Sequence, residues 1–554
     1  MCLKKPRNEL GFAVMANDVE QELREAVERI LNSAAERKLV VAGPGAGKTF
    51  LFRKLLDRQT GGKANHLVLT FINNLKADLD RSLGHVSEVF TLHGYCQYLL
   101  CRRNELRDGL GADFVCYPGL VSLIKRDWEW LQEADAPSFV RLMRHLQCTP
   151  DQIKFLTGRG NYYNSVDFDD SVFRVCQAFK NDQALVPSFD LVLVDEFQDF
   201  NKMEAAIIAA LAECNRIVIT GDDDQALYSQ LRAASWDHIR GHHNDGEYDR
   251  FYLPFCMRCT KVIIDAVNDV IRKAKIAGGL KGRINKPYRY YAPIKGADSR
   301  RYPKIDWIRT SVQRQGANYF GKYIEQFIRA IPQADIDEAV EKHEPLVLVI
   351  GNKPYLPQIG RHLVNAAMLT PKLKDELGER EEALKILATS PCSNLGWRII
   401  LGIGDQAVAK ERVRRAHERG KDIVEVIPQE ERETILAEAR EWHAQHHDRA
   451  EDAAEANENA PRIKLTSYEG AKGLSAQYVF LVGVHAGELP ARTAQIKDIE
   501  ICRFLVGLTR TKKKCMILTT GRFGEKTKQS SIFLSWIDAQ RYKRINVNAA
   551  FWRP

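Results

Sequence analysis

Short, unbroken apolar runs ending in polar punctuation recur along this 554-residue chain. Lys38-Leu39-Val40-Val41-Ala42 runs into a glycine-rich turn, and Leu191-Val192-Leu193-Val194 into Asp195-Glu196. Residues 67–70, 216–220, 346–350 and 478–482 have the same character. Runs of this length without polar alternation suit strands covered on both faces, which are parallel strands. The stretches between them carry helical patterns, so the chain is expected to be α/β with parallel sheets. Residues 99–186 and 366–460 lack such runs and read as mostly helical insertions into two α/β cores. Residues 405–456 are strongly charged and helix-prone, and the Ala/Glu/Asn-rich 457–461 suggests a soft return linker.

Composition narrows the class. Hydrophobic residues make up 45% and charged residues 28%, which excludes global disorder. No apolar run approaches the ~20 residues of a membrane helix, and Met1–Pro6 leads into no secretory apolar core. Met15 is an alternative initiator. Twelve dispersed cysteines suit a reducing, cytoplasmic compartment. The close pair Cys256/Cys259 has no second pair at zinc-ribbon spacing, so a metal site there is not expected. Lys+Arg exceed Asp+Glu by 81 − 72, or +9. Residues 271–314 hold thirteen Lys/Arg against two Asp, interleaved with Tyr288, Tyr290, Tyr291, Tyr302 and Trp307, a pattern that suits phosphate neutralisation with base stacking. A solvated loop with its aromatics turned inward fits that composition equally. Residues 371–460 sum to about −6, so a polyanion site is expected elsewhere in the chain.

Chemistry gathers where the apolar runs end. Ala42 and Gly43-Pro44-Gly45-Ala46-Gly47-Lys48-Thr49 follow a strand and precede a helical pattern. Glycines there let successive amides curl round a phosphate, and the helix N-terminus adds partial positive charge. Lys48 is placed to reach β- and γ-phosphates and Thr49 to ligate Mg²⁺, so a nucleoside triphosphate with Mg²⁺ is expected there. Asp195 would complete the metal site and Glu196 would orient and deprotonate the attacking water. Gln225, in Gly221-Asp222-Asp223-Asp224-Gln225, offers a carboxamide able to sense a γ-phosphate.

With these residues in order, the chain resembles superfamily 1A helicases of the UvrD/Rep/PcrA type. Gly43–Thr49 is similar to motif I, Leu69–Asn74 to motif Ia, Thr91–Cys96 to the Thr-x-His motif, Asp195–Asp199 to motif II and Gly221–Arg232 to motif III. Leu253–Arg258 resembles motif IV, Leu465–Leu474 motif V and Glu500–Arg510 motif VI. The resemblance implies two RecA-like P-loop NTPase domains with ATP between them, and Arg258 and Arg510 as arginine fingers. It also implies nucleic-acid contacts by Asn73, Thr91, His93, Arg232, Ser467 and Lys472. The implied divisions are an N-terminal extension, 1–18; domain 1A, 19–98 and 187–250; helical insertion 1B, 99–186; domain 2A, 251–365 and 461–554; and an acidic helical 2B-like insertion, 366–460. The implied activity is an ATP-dependent helicase tracking 3′ to 5′ on single-stranded or tailed duplex DNA, with no membrane partner. The alternatives are a DNA-stimulated ATPase serving as motor or sensor in a larger repair or defence complex, and a nucleotide-gated switch. Several positions depart from the family pattern: Met257 replaces a stacking tyrosine, Ser475 an acid, Glu469 a histidine, and Gln230-Leu231 the motif III aromatic, while Gln21 lies early for the adenine-selecting glutamine. The insertions are short, so a compact motor without a fused nuclease is expected.

Overall fold

The computed structural model describes residues 7–58, 65–71, 73–310, 319–369, 378–446 and 462–552. The expected linker at 457–461 and the acidic run at 451–460 lie outside them.

Two six-stranded sheets, parallel throughout, form the two lobes. The first comprises β1 (Arg37–Ala42), β2 (His66–Thr70), β3 (Glu88–Thr91), β4 (Leu191–Val194), β5 (Ile217–Gly221) and β6 (Asp249–Leu253), in the order β3-β2-β4-β5-β1-β6. The second comprises β7 (Ile305–Thr310), β8 (Val347–Gly351), β9 (Ile463–Thr466), β10 (Ala476–Val482), β11 (Thr511–Thr520) and β12 (Tyr542–Val547), in the order β9-β8-β10-β11-β7-β12. Successive residues of each central strand enter opposite cores. Leu39 and Val41 join the cluster on one face and Val40 and Ala42 that on the other. Val479 and Leu481 part in the same way from Tyr478, Phe480 and Val482. Covering both faces is what makes these segments apolar without alternation.

The helices include α1 (Arg7–Asn32), α2 (Lys48–Asp57), α3 (Lys202–Cys214), α4 (Lys261–Ile276) and α5 (Asp498–Thr509), and α2 opens at the cleft between the lobes. Of the expected extension 1–18, residues 7–18 are part of α1, which runs unbroken from Arg7 to Asn32. The expected junction at 250/251 falls inside β6, which stays hydrogen-bonded in the first sheet until Leu253 pairs with Ala42. Strands β4, β5 and β1 are neighbours in the first sheet, so the loops after Ala42, Val194 and Gly221 open side by side at their carboxyl ends, where parallel sheets hold ligands.

Residues 99–186 are mostly helical, with one short strand pair, Val115–Cys116 against Ser165–Val166. The helices of 379–446 pack onto them, and the first lobe's core runs through both insertions. At their junction Asp127, fully buried, accepts from Arg159 at 2.8 Å, Tyr163 at 2.5 Å and Arg398 at 2.9 Å.

Candidate active site between the two lobes

The turn after β1 holds Gly45 at φ +69° and Gly47 at φ +89°, conformations a side chain would strain. Gly45 is doubly required, since a Cβ there would lie 2.4 Å from the Cβ of Arg258 in the second lobe. The turn delivers Lys48 and Thr49 as the first residues of α2, whose leading amides have no partner within the helix. Lys48 Nζ lies 2.5 Å from Glu196 Oε1 and 3.6 Å from Asp195 Oδ1. Burial works against the Lys48 charge, yet Asp195 and Glu196 outweigh it and raise the ammonium's pKa.

The two acids are set differently. Burial raises the pKa of Asp195, whose Oδ1 accepts from Thr220 Oγ1 at 2.7 Å and the Glu196 amide at 2.9 Å. Glu196 sits at φ +55°, outside β4. Burial opposes its charge, but Lys48 and Lys472 hold its carboxylate below the usual range, and Gln198 donates to it at 2.6 Å. Lys48, Thr49, Asp195 and Glu196 face a cleft of about 460 Å³ that also exposes Gln225, Met257, Arg258 and Arg510. A hydroxyl and a carboxylate beside a glycine-turned amide array are a donor set of hard oxygens suited to Mg²⁺ and a polyphosphate.

The far wall comes from the second lobe. Arg510, 2% exposed, follows α5 and is pinned by its Nε to Val506 O at 3.1 Å. Its Nη2 reaches Gln225 Oε1 at 3.0 Å across the lobe boundary. Burial first, then neighbouring Arg258, push its pKa down to about 10, so it stays charged at neutral pH. Arg258 donates to Thr509 O at 3.4 Å, and the adjacent Met257 amide donates to Gly45 O at 2.9 Å. Met257, where the family pattern has a tyrosine, and Ser475 both line the cleft.

The six residues expected on nucleic acid do not share one exposed track. Thr91 caps the helix Leu92–Arg102 by accepting from the Gly94 amide at 3.1 Å. His93 is buried, 2.8 Å from Arg232 and 3.5 Å from Glu204. Burial and Arg232 push its pKa down to about 4, so it is neutral at pH 7. Arg232 lies over Phe71, 4.6 Å from the ring centroid. Ser467 is exposed beyond β9, and Asn73 opens a helix with its side chain outside the described residues. Lys472 is 2% exposed and faces the lobe boundary, pairing with Asp199 and donating to Gln225 O at 2.6 Å. Burial pushes Asp199 up to about 7 despite that lysine.

Two cations of the basic stretch 271–314 turn inward, while most of its other described lysines and arginines are exposed. Arg283 and Lys286 are buried against Asp222–Asp224, and Tyr288 packs on Gly43, its hydroxyl donating to Pro44 O at 3.0 Å. Three consecutive acids in one loop demand cationic partners, which is the inward-facing alternative that composition left open. Nine other lysines and arginines of the stretch, among them Arg272, Lys273, Lys275, Lys281 and Arg289, are exposed, and 311–314 lie outside the described residues. The boundary roles of Lys286, Tyr288, Gln198 and Asp199 went unread in the sequence. Cys256 and Cys259 are buried free thiols, the Cys259 amide lying 3.4 Å from Cys256 Sγ.

A model of the UvrD/REP helicase N-terminal domain matches residues 156–245, the stretch carrying Asp195, Glu196 and Gln225. The ATP-dependent DNA helicase PcrA of Staphylococcus epidermidis is 24% identical over 339 residues, covering 53% of this chain and 44% of that protein. PcrA of Staphylococcus aureus is 24% identical over 366 residues, 57% of this chain and 49% of that one. The matches thus cover about half of this chain and just under half of each curated relative. Motif order, paired parallel sheets and these matches agree in making the chain similar to the UvrD/Rep/PcrA-like superfamily 1 helicases.

Proposed function

We propose that this protein is an ATP-driven motor on single-stranded DNA, a helicase or translocase moving 3′ to 5′, in which hydrolysis is coupled to closure of the two lobes. The observation that carries the reading is the meeting of Arg510 with Gln225 beside Lys48 and Glu196, because both lobes then contribute charge to one cleft. Lys48 and the turn Ala42–Thr49 would bind the phosphates, and Thr49 with Asp195 would hold Mg²⁺, which supplies charge neutralisation when bound. Glu196, kept ionised by its two lysines, would take the proton of the attacking water. Arg258 and Arg510 would stabilise charge on the transferred group, and Gln225 would report its presence to Arg510. The lobes close when the cleft binds charge and relax when that charge leaves. A strand gripped differently in the two states is thereby moved.

Polarity and DNA as the track rest on the resemblance and on relatives described as ATP-dependent DNA helicases. No described helix is long and apolar enough to cross a membrane. The test is turnover with and without single-stranded DNA, followed by unwinding of duplexes bearing a 3′ or a 5′ tail. DNA-stimulated turnover with opening of the 3′-tailed substrate supports the reading; turnover indifferent to DNA overturns it. One observation favours the second reading, a motor or sensor subunit without robust unwinding: Leu231, 61% exposed, stands where the family pattern has a motif III aromatic. Stimulated turnover with neither tailed duplex opened would select it.

A further inference from the structure

The segment between α4 and β7 belongs to the second lobe by chain order but lies along the first. Arg240 donates to Lys281 O at 2.9 Å, the Ile284 amide to Asp223 Oδ2 at 2.9 Å, and Ile284 packs into the first lobe's core. Arg283 clasps Asp224 through two bonds of 2.7 and 2.6 Å. Lys286 is the centre of this strap. Its Nζ stands 2.7 Å from Asp222, 2.6 Å from Asp223 and 2.9 Å from Asp224, with its side chain 3% exposed. An ammonium has three protons to donate, and three carboxylates surround this one.

The three acids are not equivalent. Asp223 also pairs with Arg240 at 3.0 Å, and Asp224 with Arg283. Among the described residues, Lys286 is the cation paired with Asp222. Asp222 uses Oδ1 for Lys286 and Oδ2 to accept Gln225 Nε2 at 2.9 Å. An ionised carboxylate only accepts, so it fixes the NH2 end of the Gln225 amide and leaves Oε1 for Arg510, at 3.0 Å. Reversing that amide would aim two donors at a guanidinium that has no acceptor. The chain Lys286–Asp222–Gln225–Arg510 therefore runs from the strap to the cleft.

We propose that Lys286 is a positioning residue for the hydrolysis proposed above: by holding Asp222 it sets which end of the Gln225 carboxamide faces Arg510, so docking of the strap on the first lobe arms the cleft. The inference rests on that proposed function, and its test separates the two. The full chain is titrated with MgADP and with MgADP–aluminium fluoride, reading the rise in melting temperature, and ATP turnover is measured with an oligo-dT strand. Wild type should gain stability from MgADP and more from the fluoride complex; neither gain overturns the nucleotide reading itself. Lys286→Ala should keep the MgADP gain, lose the additional gain, and lower kcat about 10- to 100-fold with KM changed less than about threefold, the scale of a misplaced catalytic contact. Lys286→Arg should restore most of both, and adding Lys286→Ala to Gln225→Ala should cost little more. A Lys286→Ala protein that keeps both gains, or loses both together, overturns the positioning role, as does a full further loss in the Gln225→Ala background.

Discussion

Glu196 and Lys48 illustrate how the cleft uses opposite charges a hydrogen bond apart. Each is costly to bury alone, and each holds the other ionised. If Glu196 is the base, Glu196→Gln keeps the shape but loses the proton acceptor, and only one of the two oxygens that accept from Lys48 and Gln198 remains an acceptor. Turnover should fall about 10²- to 10⁴-fold while MgATP still binds, as followed by equilibrium titration; hydrolysis near wild-type level would dismiss Glu196 from that role. Arg510 differs in kind because its target lies across the lobe boundary. Arg510→Ala should reduce kcat about 10³-fold or more with a smaller effect on ATP affinity. A change confined to affinity would make it a ground-state contact only.

At the scale of the element, α3 shows how a helix terminus carries more than its own stability. Asn201 and Glu204 form a reciprocal capping box, with bonds of 3.0 and 2.8 Å. The same Glu204 lies 3.3 Å from Arg232 and beside neutral His93. Burial pushes Glu204 up to about 7 although Arg232 pulls it down. In an unfolded chain it would release its proton near pH 4.3, so between about pH 4 and 7 the folded state holds a proton the unfolded state has shed. This group's contribution therefore favours folding at low pH and weakens as pH rises to about 7. Glu204→Gln keeps an acceptor for the cap and carries no proton. Denaturant unfolding should find it more stable than wild type at pH 8 with no such advantage at pH 4, and equal pH slopes would refute the assignment.

For the whole molecule, the insertions matter through their joint. Asp127 is shared by Arg159 from its own insertion and Arg398 from the other, and Arg398 also covers Trp130 at 4.5 Å. Removing one member of a buried ion cluster leaves charge without full compensation. Arg398→Ala should thus lower unfolding free energy by about 3 kcal/mol, the low end for such losses because Arg159 and Tyr163 remain on Asp127. A loss under about 1 kcal/mol in denaturant titration would mean that the insertions are held by apolar packing, without help from this cluster.

The order of residues alone determined the chemistry at the ends of the strands, because a phosphate turn and its acids are local: Gly43–Thr49 and Asp195-Glu196 need only a preceding strand to be aimed correctly. It likewise announced the six apolar strands, whose burial on both faces leaves an unbroken run. Strands such as β11 were silent, since it opens Thr511-Lys512-Lys513-Lys514, and those lysines are tolerable only beside Glu344, Asp335 and Asp306 from distant parts of the chain. Only the tertiary structure decided which way the basic stretch faced. Its charge could have gone to a phosphate backbone or to Asp222–Asp224, and composition is the same in both cases. The choice fell inward for Arg283 and Lys286 because the α4–β7 strap crosses the loop after β5, where three buried carboxylates require cations within hydrogen-bond reach.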